Sequence, residues 1–219
     1  MEQEWSDLRE ILQGYEIGDI DGKIDLIDRY TRMLRQRRDW AGLTSRTLPD
    51  NIEGTIVNSL AVLTASGLGA IHVVEIGSGG GLLGIVVSIV CGSWEVTMVE
   101  SSSRKSAFLA EVVGSLGIDN VKVHVGRAEQ LEDKGTFDLC LSRASGRLID
   151  LAPVAMGLLK PGGKYIALKA SEVAGEVEEA KGTVAAAKGE PAVVWGAADL
   201  PSACAGRVSL VVIERSRLS

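Results

Sequence analysis

Residues 71–84 read IHVVEIGSGGGLLG, an apolar run with an acid near its end, then a cluster of glycines and the start of a second apolar run. Strand, tight turn and helix are the natural reading. Val73, Val74 and Ile76 favour extended backbone, Gly77, Gly79 and Gly81 tolerate the positive φ of a sharp turn, and Leu82 to Cys91 has the length of a buried helix. Such a turn leaves backbone N–H groups at a helix N-terminus with no side chains in front of them. It is a seat for a cofactor.

The spacing narrows the choice. A dinucleotide pattern G-x-G-x-x-G can be laid on Gly79, Gly81 and Gly84, but its first glycine should follow the strand directly, and counted from Gly77 the third position is Leu82. The better description is Glu75-x-Gly77-x-Gly79-x-Gly81. A second apolar run, Val96 to Val99, ends in Glu100, nineteen residues past Gly81. A carboxylate there sits at the tip of the neighbouring strand and can accept hydrogen bonds from two ribose hydroxyls, a need that NAD and S-adenosylmethionine share. Glu75, just below the loop, suits a ligand carrying a cation better than one carrying a pyrophosphate, which favours S-adenosylmethionine. No G-K-[ST] follows the glycines, so a P-loop is excluded.

At 219 residues and 46% hydrophobic, the chain can bury one sizeable core with room for a small extra lobe. A net charge of −6 means that any RNA contact must come from a local patch, and 4% aromatics leaves little for base stacking. Cys91, Cys140 and Cys204 lack C-x-x-C spacing and read as buried thiols, and His72 and His124 suggest no metal site. No apolar run reaches the ~20 residues of a membrane span, and the acidic N-terminus is unlike a signal peptide, so a cytoplasmic location is expected.

Residues 1–69 read as an N-terminal helical extension and 70–219 as an α/β domain. A short helix ends near Gly14. Asp21 is placed to cap a longer one reaching about Trp40, with Ile20, Ile24, Ile27, Thr31 and Leu34 on its buried face. Between residues 29 and 46 six arginines (Arg29, Arg32, Arg35, Arg37, Arg38 and Arg46) face one acid, Asp39, which makes this a solvated surface or a patch for RNA phosphates. A third helix is expected from Asp50 to about Ala65. From residue 70 strands and helices alternate regularly, with strands at 96–99, 121–125, 137–142 and 165–168, a turn at Lys160-Pro161-Gly162-Gly163, and a closing pair at 193–195 and 207–214.

Arg127, Glu129, Arg143 and Lys169 fall just after strands, on the same edge as the glycine loop, where open α/β sheets bind ligands. Ala128 and Glu129 are placed to meet an adenine. Arg143 is placed for the reacting end, where a guanidinium can hold a phosphate, a base edge or a carboxylate. The fourth strand ends Ser142-Arg143-Ala144, without the Asn/Asp-Pro-Pro-aromatic run of methyltransferases that act on exocyclic amines. That points to a nucleophile with an available lone pair, such as guanine N7, which needs positioning more than a general base.

GSGGGLLGI after VVEI, ESSSRKSAFL, GRAEQL, FDLCLSRA and LLKPGGKYIALK follow one another in the order seen in a known family. Over residues 25–214 the chain resembles the bacterial 16S ribosomal RNA guanine-N7 methyltransferases, the glucose-inhibited division protein B family. The resemblance implies a class I S-adenosylmethionine-dependent methyltransferase, α/β and Rossmann-like, with a seven-stranded mostly parallel sheet and an N-terminal helical extension. It also implies that the cofactor lies on Gly77, Leu82, Ala128, Glu129 and Arg143, with Glu100 at the ribose; Ser101, next to Glu100, is a further candidate for cofactor binding. Arg143, Lys169, Asn58 and Ser59 are then the candidates for placing the target.

The departures concentrate on the target side. Gly42-Leu43-Thr44 stands where the family usually has Asn-Leu-Thr, and Thr55 to Ser59 where it has His-x-x-Asp-Ser. Gly80, Leu83 and Val86 replace the usual prolines, and Glu75 and Glu100 the usual aspartates. A methyltransferase of the same fold acting on a small molecule or peptide is the alternative expectation, and a binding protein without catalysis a third.

Overall fold

The computed structural model describes residues 5–37, 51–67, 69, 72–169, 172–196, 198–204 and 208–217. Four helices come first: α1 (Ser6–Gly14), α2 (Ile20–Arg37), α3 (Ile52–Ser59) and α4 (Val62–Ser66). Strands and helices then alternate as β1 (His72–Ile76), α5 (Gly84–Val90), β2 (Glu95–Glu100), α6 (Ser103–Leu116), β3 (Val121–Val125), β4 (Phe137–Arg143), α7 (Leu148–Leu158), β5 (Leu159–Lys169), α8 (Ala174–Ala186), β6 (Val193–Trp195) and β7 (Ser209–Glu214). The strands form one seven-stranded sheet, ordered β3-β2-β1-β4-β5-β7-β6. Strands β1 to β5 are parallel, and β7 runs antiparallel to both β5 and β6. This is the mostly parallel architecture that the alternation predicts.

The apolar runs of the strands have a simple cause: both faces of the sheet are covered. Val73, Leu139, Leu141, Ile166, Leu168 and Leu210 point into a core shared with α1 to α6, while Val74, Ile76, Cys140, Tyr165, Ala167, Val211 and Ile213 point into a second core under α7 and α8. Alternate residues of one strand serve opposite cores, as the two-residue period of extended backbone requires. The N-terminal helices thus pack on the same core as α5 and α6. Strand β1 is flanked by β2 and β4, so successive crossovers leave it in opposite directions and open a crevice at its carboxyl end.

Several local expectations need correcting. Helix α2 begins at Ile20, one residue before the predicted cap, so Asp21 lies in the first turn and its carboxylate accepts a 2.7 Å hydrogen bond from Arg9. The helix expected over 50–65 divides in two. Asn51 caps α3 by accepting from the Gly54 N–H at 2.7 Å, and around Leu60 and Ala61 the bonds tighten to a three-residue step before α4 starts. The helix expected from Leu82 starts at Gly84, because Gly81 to Leu83 still belong to the turn.

The largest difference is at Lys160-Pro161-Gly162-Gly163, read from sequence as a turn. It lies inside the eleven-residue β5 as a bulge: Phe137 pairs with Leu159 and Leu139 with Lys164, so two steps on β4 face five on β5. Gly162 takes φ +80°, and Gly163 packs so closely that an added Cβ would fall 3.0 Å from the Asp138 carbonyl oxygen. Pro and Gly mark irregular backbone correctly here, but β4 holds both ends of it in the sheet.

Candidate cofactor site

The glycine loop is held by hydrogen bonds to neighbouring strands and within itself. The Val99 carbonyl accepts from the N–H groups of Gly77 (2.9 Å) and Ser78 (3.0 Å), and the Ser78 carbonyl accepts from the Gly81 N–H (2.8 Å). Gly77, Gly79 and Gly81 have φ of +71°, +58° and +89°, the conformation their sequence predicts. At Gly77 a side chain is also excluded by contact, since an added Cβ would lie 2.7 Å from the Ser145 Cβ. Ser145 latches the loop after β4 onto β1 by donating to the Ile76 carbonyl at 2.8 Å.

Glu100 ends β2 and fastens two turns at once. One carboxylate oxygen accepts from the Gly79 N–H and the other from the Ser102 N–H, both at 2.8 Å. Each oxygen keeps a second lone pair, so a ribose diol can still be accepted. Glu75 differs: it is 2% exposed, and among the described residues its Oε2 has no hydrogen-bond partner. Burial pushes its carboxyl up to about 8, against the pull of Ser78, Arg143 and the Gly84 N–H, while Glu100 adds to the rise. Gly84 makes room for it, because a Cβ there would collide with Glu75 Oε2 and the Met98 side chain.

These groups line a cavity of about 370 Å³ at the carboxyl end of β1. Of the residues anticipated for a cofactor, Glu75, Gly77, Gly79, Leu82, Glu100, Ser101 and Arg143 line it. Gly81 does not: it packs behind the loop, where a Cβ would meet Ile85 and Leu109 at 2.7 and 2.9 Å. Ala128 is buried in the core under α7, and Glu129 is exposed on a single 3₁₀ turn after β3; neither lines the cavity. Arg143, the last residue of β4, is half-buried; burial draws its guanidinium below its ordinary range, and Tyr30 and Glu75 oppose this.

The other target-side candidates lie elsewhere. Lys169 donates to the Gly146 carbonyl (2.8 Å) and pairs with Glu176 (2.7 Å), which also accepts from the Leu148 N–H, so it ties α8 to the loop after β4. Ser59 is buried on α3 and donates to the Thr55 carbonyl at 2.9 Å, and the Asn58 side-chain oxygen is buried without a partner. None of the three lines the cavity. The arginine patch is also more neutral than its sequence suggests. Arg29 lies 4.0 Å from Asp25, Arg37 lies 2.8 Å from Glu111, Arg32 pairs with Asp28, and Arg35 pairs with Glu53. Arg38 and Arg46, like residues 42–44, fall outside the described residues.

Sequence reading missed Tyr30 and Ser145. The buried Tyr30 hydroxyl donates to the Gly80 carbonyl at 2.7 Å, joining α2 to the glycine loop. Tyr30 lies three residues after Ile27 and four before Leu34, so the helical period was the available signal.

The cavity fits S-adenosylmethionine: an unpartnered carboxylate beneath the loop for a cation, a strand-end carboxylate for a ribose, and glycines where side chains would intrude. A model of the family described as GidB, rRNA small subunit methyltransferase G, matches residues 23–199. The chain belongs to this family. It is therefore an S-adenosylmethionine-dependent methyltransferase, which settles the choice against NAD. Among relatives, a ribosomal RNA small subunit methyltransferase G from Cupriavidus pinatubonensis is 33% identical over 177 residues, 75% of each chain. One of the same name from Thermobifida fusca is 35% identical over 159 residues, 72% of this chain and 67% of its own. In fold, the chain is similar to M. jannaschii TYW2 in complex with AdoMet (TM-score 0.57, 17% identity, 74% of each chain). It is also similar to a SAM-dependent O-methyltransferase from Thermotoga maritima (TM-score 0.56, 14% identity, 72% of this chain and 63% of that one).

Proposed function

We propose that this protein transfers a methyl group from S-adenosylmethionine to N7 of a guanine in 16S ribosomal RNA, in the cytoplasm. The observation that carries this reading is the set of ionisable groups at the cavity: Glu75, Glu100, Lys105 and Arg143. Glu75 is buried beneath the loop, and both oxygens of Glu100 already hold backbone N–H groups. The described lining residues include no histidine, and of the two carboxylates Glu75 lies beneath the loop and Glu100 is taken up by backbone N–H groups, which suits a target atom that carries a lone pair and no hydrogen.

When bound, S-adenosylmethionine supplies an electrophilic methyl group on a positively charged sulfur. The chain's own residues bind and align. Glu100 would accept the ribose hydroxyls, with Ser101 beside it; Glu75 would offset the positive charge; Gly77, Gly79 and Leu82 would give backbone surface. Gly81 serves by holding the turn, and Ala128 and Glu129, outside the cavity lining, would border the adenine side only through the turn after β3. Arg143 grips O6 or a phosphate of the target so that lone pair, methyl carbon and sulfur fall in line. Lys169 acts behind this arrangement, by tying α8 to the loop after β4, while Asn58 and Ser59 belong to α3, away from the cavity.

For the RNA itself we assign the phosphate contacts chiefly to Arg104, Lys105 and Arg127, at the start of α6 and after β3. None has a carboxylate within ion-pair distance among the described residues, whereas the described arginines of α2 each have one. We read 1–69 as an extension of the 70–219 domain, its described helices α1 to α4 sharing a core with α5 and α6. The test is a modification map of ribosomal RNA from cells with and without the protein. Loss of one 7-methylguanosine is expected; an unchanged map overturns the reading and points to a small-molecule or peptide acceptor.

A further inference from the structure

The glycine loop contains one peptide unit that could face either way. Gly80 and Gly81 stand on its two sides, and with no Cβ on either, rotation of that peptide by about 180° meets little steric resistance. In the structure it is held at both ends. Its N–H donates to the Ser78 carbonyl at 2.8 Å, and its carbonyl accepts from the Tyr30 hydroxyl at 2.7 Å. Gly80 lines the cavity, while Tyr30 is fully buried in the core on the opposite side of the loop. Turned over, the peptide would lose both bonds and point its oxygen at the Ser78 carbonyl, so the loop that lines the cavity would have to rearrange.

We propose that Tyr30 is a positioning residue for cofactor binding, its hydroxyl holding the Gly80–Gly81 peptide, and with it the loop that lines the cavity, in the orientation seen here. The inference rests on the reading of this cavity as the S-adenosylmethionine site. It gives α2 a function besides packing: the helix reaches the cofactor loop from behind, through one hydrogen bond. Glu75 and Arg143 lie within electrostatic reach of the same hydroxyl.

Tyr30→Phe removes the hydroxyl and keeps the ring that fills the core. The control is Tyr15→Phe, which removes another hydroxyl from the N-terminal helices, one bonded to Thr64 Oγ1 at 2.6 Å. Calorimetric titration with S-adenosylmethionine, without RNA, is expected to show Kd raised about five- to tenfold in Tyr30→Phe, the scale of one backbone-accepted hydrogen bond, and unchanged in Tyr15→Phe. Amide exchange at Gly81 in the cofactor-free protein should quicken in the first variant only. Wild-type affinity and exchange in Tyr30→Phe overturn the proposal, and so does equal weakening in Tyr15→Phe, which would mean general loosening. Failure of the wild type to bind S-adenosylmethionine would instead overturn the cofactor reading beneath it.

Discussion

Replacing Glu75 by glutamine should change the pH dependence of folding in a direction the structure fixes. The carboxyl is buried, and its pKa is raised from 4.5 to about 8. At about 1.4 kcal/mol per pH unit, that separation is worth roughly 5 kcal/mol, an order-of-magnitude figure for a group this deeply buried. A raised pKa means that the folded state holds the proton longer than the unfolded chain does. The associated stability is fully present below about 4.5 and is lost as pH rises through about 8. Glutamine carries no proton to lose. Urea unfolding of the cofactor-free protein at pH 5, 6.5 and 8 should therefore show the variant gaining on the wild type with each step, by several kcal/mol in total. In the wild type, a cation bound at the loop favours the ionised carboxylate, so titration with S-adenosylmethionine near pH 7 should release close to one proton. Buffers of different ionisation enthalpy measure that release, and Glu75→Gln should show none. Parallel stability curves for the two proteins, with no proton release in either, would refute the reasoning.

Glu100→Ala should lower S-adenosylmethionine affinity at least about tenfold, by calorimetry, because it removes ribose acceptors and also frees Gly79 and Ser102. Tight NAD binding to the wild type would contradict the assignment. If Arg143 orients the target, Arg143→Ala should keep cofactor binding and lose turnover even at saturation. Arg143→Lys should recover little, since a point charge replaces a two-pronged grip, and a near wild-type lysine variant would count against that role. Methylation of RNA should weaken steeply with rising salt, and Arg104→Ala and Arg127→Ala should each reduce the slope of log affinity against log salt by about one; slopes equal to wild type would remove both from the phosphate contacts.

Much of this was legible in the sequence because it depends on neighbours along the chain. The positive φ of Gly77, Gly79 and Gly81, the strand-end places of Glu75 and Glu100, and the sheet all follow from local pattern. What stayed hidden depends on distant partners. The arginines of α2 look unopposed until Glu53 and Glu111 arrive from α3 and α6. Lys169 stands at a strand end like Arg143, but Glu176 from α8 turns it into a tie between elements. Pro161 and the two glycines after it announce irregular backbone, yet only the pairing partner β4 decides between a turn and a bulge. Tyr30 looks like one more core residue of α2, and only the placement of Gly80 beside it reveals a polar task.

The anchoring of the glycine loop has a kinetic consequence. Val99, Glu100, Ser78 and Tyr30 fix its backbone with bonds made wholly between groups of the protein itself. The ordering of this segment is therefore accomplished during folding, and an incoming molecule meets a finished wall. Capture should proceed in one step, with an observed rate rising linearly with cofactor concentration and no plateau from a slow closing motion. The lifetime of the complex, set by how firmly Glu100 and Glu75 retain their ends of the ligand, then governs how quickly spent cofactor makes way for the next.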